Sequence, residues 1–206
     1  MTAPAVVLPP VTDQAERLIA LGATGPLTPD VVRTGAAALA DRPGLLVVGA
    51  ARPSRLAPLL RRGERPGFVV EDMTDVDDFA PVVEVPDAPL WLLTEPDRGD
   101  DLASASPAEA ELELTARGRT PMLLTEGVQW LLQAPDVLER NHCFMTTGSR
   151  LRRPSGRFDS RTPAVWISNG TGRDGRARRD AAKVGWCWWN NRHTWLGFAS
   201  AADRTA

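Results

Sequence analysis

The sequence predicts an α+β fold: a mixed helical and strand N-terminal part packed on a mostly antiparallel C-terminal sheet. Three observations predict it. Helix start signals concentrate before residue 133, at Asp13, Thr28 and Ser106. Short valine- and leucine-rich runs such as LLVVGA are interspersed among those helices, as buried strands would be. From Asn141 onward the texture turns to β, with NHCFMTTGSR, TPAVWISNG and KVGWCWW separated by Arg/Gly loops.

In chain order, residues 1–11 read as an arm, because Pro4, Pro9 and Pro10 interrupt regular structure. No basic region followed by a continuous apolar run marks a secretory leader. Asp13 with Glu16 resembles a capping pair before AERLIALG. Thr28-Pro29-Asp30 supplies an N-cap, a first-turn proline and an acid for a helix running to Pro43-Gly44. LLVVGA is then a buried strand, and Ser54 opens a short helix. GFVVEDM and PVVEVPDAPLWLL are strand material. The acidic stretch Thr94–Ser106 reads as an exposed loop or linker between an N-terminal α/β part (residues 12–104) and a C-terminal helix plus Trp-rich antiparallel sheet (105–206), the two expected to pack as one compact unit. Ser106-Pro107-Ala108-Glu109 is a capping box, and Thr120-Pro121 opens a further helix with Leu124, Val128, Leu131 and Leu132 on one core face.

Charge divides along the chain. Residues 1–140 hold 12 Arg against 22 acids, net −10; residues 141–206 hold 11 Arg and one Lys against 4 Asp, net +8. Either the halves face each other, or the basic end serves an anionic ligand. With no apolar run of membrane-spanning length and two cysteines that read as free thiols, a cytoplasmic protein with no membrane partner is expected.

The stretch Lys183–Ser200 carries four of seven tryptophans. A two-residue turn at Asn190-Asn191 would fold it into a hairpin with Trp186 opposite Trp195 and Trp188 opposite His193. One face then presents Trp186, Trp188, His193 and Trp195, either as core or as the stacking wall of a pocket. The polar groups around that wall are Asn141, Ser149 and His193, and the anion anchors are Arg150 and Arg192. A planar or anionic small ligand is the expected partner. Should the pocket catalyse, His193 is the acid/base, with Cys143 or Cys187 as a nucleophilic thiol. The spacing of His142, Cys143, Cys187 and His193 does not make a zinc set, so no metal ligands are assigned, and the sequence leaves the cofactor unknown. The G-x-G-x-x-G of Gly170–Gly175 lacks the following helix and acid of a dinucleotide site. The alternative reading is a nucleic-acid or protein-interaction module that uses the basic, tryptophan-rich end and the acidic 71–113 segment.

The texts NHCFMTTGSR, PAVWIS and GWCWWNNRHTWLGFAS, within residues 141–202, resemble the signature of an uncharacterised bacterial, actinobacterial-type family of unknown function. The resemblance implies a shared C-terminal architecture and carries no activity, cofactor or catalytic residue with it.

Overall fold

A computed structural model describes residues 7–206. The remainder of the arm read for residues 1–11 lies outside the described residues. The chain folds as α+β, in two main sheets with one helix between them. Among the described residues no helix is long and apolar enough to cross a membrane.

The helices are α1 (Val11–Ala20), α2 (Pro29–Ala38), α3 (Pro53–Leu56), α4 (Pro107–Ala116) and α5 (Leu124–Gln133). Two of the expected caps form. Thr28 Oγ1 accepts from the Val31 N–H, and Ser106 and Glu109 make a reciprocal capping box. Two expected starts are displaced. α1 begins at Val11, directly after Pro10, so Asp13 falls inside its first turn and caps nothing. Thr120-Pro121 pairs with Ser200-Ala201 as a strand, and α5 starts three residues later. There the Leu123 N–H reaches Glu126 and the Leu124 N–H reaches Ser149 Oγ, so a residue distant in sequence closes the helix end.

The first sheet is antiparallel, in the order Leu45–Val48, Leu90–Thr94, Asp203–Thr205. The free edge of Leu45–Val48 is covered by side chains. Gln14 pairs with Leu46 N and Gly44 O, and Gln129 with Val48 N and Val48 O, so two glutamines satisfy the groups that a neighbouring strand would. The second sheet runs Leu196–Phe198, Cys143–Met145, Arg161–Ile167, Ala182–Trp188, Phe68–Val69. Its inner pairs are antiparallel and its two outer pairs parallel.

Helix α5 lies between these sheets and is buried nearly all round. On one side Gln129 meets Val48; on the other Gly127 leaves room for the Phe144 ring, which a Cβ would approach to 2.9 Å. The apolar face expected at Leu124, Val128, Leu131 and Leu132 is therefore half of the story. Its polar residues are buried too, with Glu126 ion-paired to Arg204 and Gln133 Nε2 donating to Gln14 O.

Both sheets draw strands from each side of residue 104, since Phe68–Val69 joins the second sheet and Asp203–Thr205 the first. The Thr94–Ser106 stretch is not an exposed linker. Arg98 within it is 5% exposed and donates to Asp100 and to Val137 O, which anchors the segment in the core. The two charge-biased halves also interlock: Asp75 holds Arg161, Asp72 holds Arg173, Glu71 holds Arg178 and Glu109 holds Arg192.

Candidate functional site

The tryptophan hairpin does not form. Ala182–Trp188 pairs along its full length with Arg161–Ile167, placing Trp186 opposite Pro163 and Trp188 opposite Arg161. A turn does occur where the asparagines predict it, with the Asn191 N–H donating to Trp188 O. Beyond that turn the chain leaves the sheet edge and returns at Leu196–Phe198 to pair with Cys143–Met145. A seven-residue ladder through the sheet's centre outweighs a local hairpin, because it satisfies more main-chain groups and buries Val165 and Val184.

The indoles consequently fall into separate groups. Trp186 and Trp188 share a face, as alternation requires, with ring centroids 4.5 Å apart; Trp188 is 47% exposed. Trp195 stands instead against Trp166 at 6.3 Å and His193 at 5.3 Å. His193 Nε2 is buried with no hydrogen-bond partner among the described residues, and burial holds the imidazole pKa below its ordinary value. Neither cysteine pairs with a histidine. Cys143 donates to Glu139 O, and burial pushes its thiol up to about 11 and that of Cys187 to about 12. Both remain protonated thiols at neutral pH, so neither is set up as a nucleophile. Asn141 occupies an exposed turn at φ 67°, His142 Nδ1 lies 3.2 Å from Asp100, and Arg192 is exposed and bound to Glu109 and Ser104 O. Residues grouped in the sequence reading thus lie in different places.

Ser149 and Arg150 do lead to a cleft. The pair Ser149-Arg150 is hydrogen-bonded to Ala80-Pro81, and Ser149 Oγ caps α5. Gly148 before them packs so closely that a Cβ would sit 2.6 Å from both Pro121 O and Met122 O. This crowding fixes the direction in which Arg150 leaves the main chain. Arg150 is 7% exposed as a residue, and its guanidinium lies 3.7 Å from the centroid of the Trp189 ring, with Phe158 at 5.1 Å. Trp189 reaches that position because the register that sets Trp188 against Arg161 brings the Trp189 N–H to Ser160 O at 2.7 Å.

The cleft encloses about 750 Å³. Its lining includes Arg150 and Trp189, the apolar Pro81, Val82 and Pro121, and Glu111 and Thr115 of α4. Arg150 Nη2 donates to Asp159 O at 2.8 Å, and Nε is buried without a partner. Among the described residues Nη1 has no protein partner, and no carboxylate forms an ion pair with this arginine. Asp159, a buried acid of the cleft lining, is held by Arg153 and Arg161 instead. The other two deeply buried arginines each have a carboxylate, Asp100 for Arg98 and Glu126 for Arg204. Burial lowers the Arg150 pKa, while Glu111 and Asp159 hold it up. Glu111 carries the complementary perturbation: burial raises its pKa, opposed by the Arg150 charge.

Trp189 was absent from the residues expected at the site. Its sequence position, one step past Trp188 and so on the other side of the strand, hid its pairing with Arg150. The guanidinium–indole contact depends on a loop some forty residues earlier, which no local pattern reveals.

Comparison with known proteins yields no curated protein and no solved structure that matches the chain. The described match is to a family model, over residues 16–206, well beyond the C-terminal region that carries the signature texts. The chain accordingly belongs to the family of unknown function DUF5701.

Proposed function

We propose that this protein binds a small organic carboxylate in the Arg150–Trp189 cleft. The observation that carries the reading is an arginine, 7% exposed as a residue, that lines an open cleft and has no carboxylate partner among the described residues. Taking a cation out of water costs several kcal/mol when nothing compensates it. The indole face recovers part of that, about 2 kcal/mol for a desolvated cation–π contact. A ligand carboxylate on the free Nη1 edge supplies the rest and makes a charge-assisted hydrogen bond. The apolar walls at Pro81, Val82 and Pro121 give the ligand's body a place to lie, and the volume falls in the ordinary range for small-molecule sites.

Calorimetric titration of 3-phenylpropionate into the wild type and Arg150→Met tests this. Binding by the wild type, weakened at least thirtyfold in the variant, is the expected result, since truncating one partner of a buried charge pair costs about 2–5 kcal/mol. Equal binding to both proteins would refute the assignment.

A further inference from the structure

The cleft holds two opposite charges that do not meet. Arg150 and Glu111 of α4 both line it, near enough for each charge to act on the other but not within ion-pair distance. Helix α4 is fixed by its capping box and by the buried side chains of Ala110 and Leu114, so Glu111 is presented from a rigid element. Among the described residues the Glu111 carboxylate enters no ion pair and accepts no hydrogen bond; only its main-chain carbonyl is used, by Thr115 Oγ1. The other charges at the cleft are accounted for. Asp159 is occupied by Arg153 and Arg161, and Arg152 sits exposed at the rim over Phe158 while donating to Gly156 O. One buried cation and one partly buried anion therefore line the same cleft, and among the described residues neither has an ion-pair partner.

We infer that the cleft is built for a zwitterion, an α-amino acid with an apolar side chain, whose carboxylate takes Arg150 and whose ammonium takes Glu111. This rests on the carboxylate reading above and narrows it. A plain carboxylate would answer Arg150 but leave Glu111 uncompensated, and would bring its own negative charge up to that of Glu111. A plain amine would do the reverse. A ligand that carries both groups answers both charges at once, and an α-amino acid carries them on one carbon. The perturbation of Glu111 agrees, since burial disfavours its charged form and a ligand ammonium would favour it. The side chain is left facing Pro81, Val82, Pro121 and the indole of Trp189, which takes an aliphatic or aromatic group and offers a charged one no partner.

The test uses two matched pairs, L-phenylalanine with 3-phenylpropionate and L-leucine with 4-methylpentanoate, titrated into the wild type, Glu111→Gln and Arg150→Met. In the wild type the amino acid of at least one pair should bind ten times more tightly than its deaminated partner. Glu111→Gln should remove that preference by weakening the amino acid at least tenfold while leaving the carboxylate unchanged or slightly tighter. Arg150→Met should abolish both. An unchanged thermal midpoint for Glu111→Gln confirms that the variant is folded. If the two members of each pair bind alike, or the amino acid is indifferent to Glu111→Gln, the zwitterion assignment is wrong while the carboxylate site survives. If no probe binds the wild type, both fall.

Discussion

Two buried arginines provide opposite expectations from the same substitution. Arg204 is 4% exposed at its side chain and forms a double contact with Glu126, Nε and Nη2 each 2.7 Å from a carboxylate oxygen; Glu126 is fully buried and also accepts from Trp91 Nε1 and Leu123 N. Arg204→Met leaves that carboxylate in the core with no cation. The cost is about 3–5 kcal/mol, the range found when one partner of a buried ion pair is removed. For a chain of this size each kcal/mol moves the thermal midpoint by about 2–4 °C, so a drop of roughly 6–20 °C is expected. Arg150→Met removes a cation that has no carboxylate. It loses one hydrogen bond to Asp159 O, about 1.5–3 kcal/mol, and the stacking on Trp189, about 2 kcal/mol. It also removes a desolvation cost of several kcal/mol and keeps an unbranched apolar side chain against the indole. The net change should be within about 1.5 kcal/mol. Urea unfolding of both variants followed by tryptophan fluorescence measures the difference. Should Arg150→Met destabilise the protein as much as Arg204→Met, Arg150 is a structural pin and the cleft is not arranged around an available cation.

Two further outcomes follow from ion pairs outside the cleft. Glu109, held by the Ser106 N–H and hydroxyl and by Arg192, has its pKa pulled down from 4.5 to about 2. A folded-state pKa below the unfolded one contributes stability above pH 4.5 that disappears as pH falls toward 2; Glu109→Gln should flatten the fall in thermal midpoint over that window, and an identical acid profile would contradict the assignment. Asp174 accepts from Lys183 Nζ at 2.9 Å and Ser168 Oγ at 2.7 Å, tying down the arginine-rich loop. Asp174→Ala should cost about 2 kcal/mol locally and speed tryptic cleavage at Arg173, Arg176, Arg178 and Arg179 about thirtyfold, read by mass spectrometry of the first fragments; an unchanged cleavage rate would show that the loop is held by something else.

What the sequence settled by itself was local. The caps at Thr28 and Ser106, the strand at Leu45–Val48 and the shared face of Trp186 and Trp188 each depend on residues within four positions of one another, where side-chain chemistry and backbone period decide. Arg150 could be singled out by its Thr-Thr-Gly-Ser-Arg context, where an ordinary turn was an equally local reading. The partners were not identifiable. Whether Ala182–Trp188 pairs with its neighbour or with Arg161–Ile167 is decided by how much main chain and apolar surface the whole sheet satisfies, a sum over residues far apart in sequence. The all-round burial of α5 exists only because two sheets close on it, and the same closure pairs Glu126 with Arg204 and lets glutamines serve a strand edge. Arg150 was left without a carboxylate, between an indole and the open cleft, by the same closure. Tertiary packing decided which buried charge is answered within the chain and which faces outward, because desolvation and ion pairing depend on where distant segments meet.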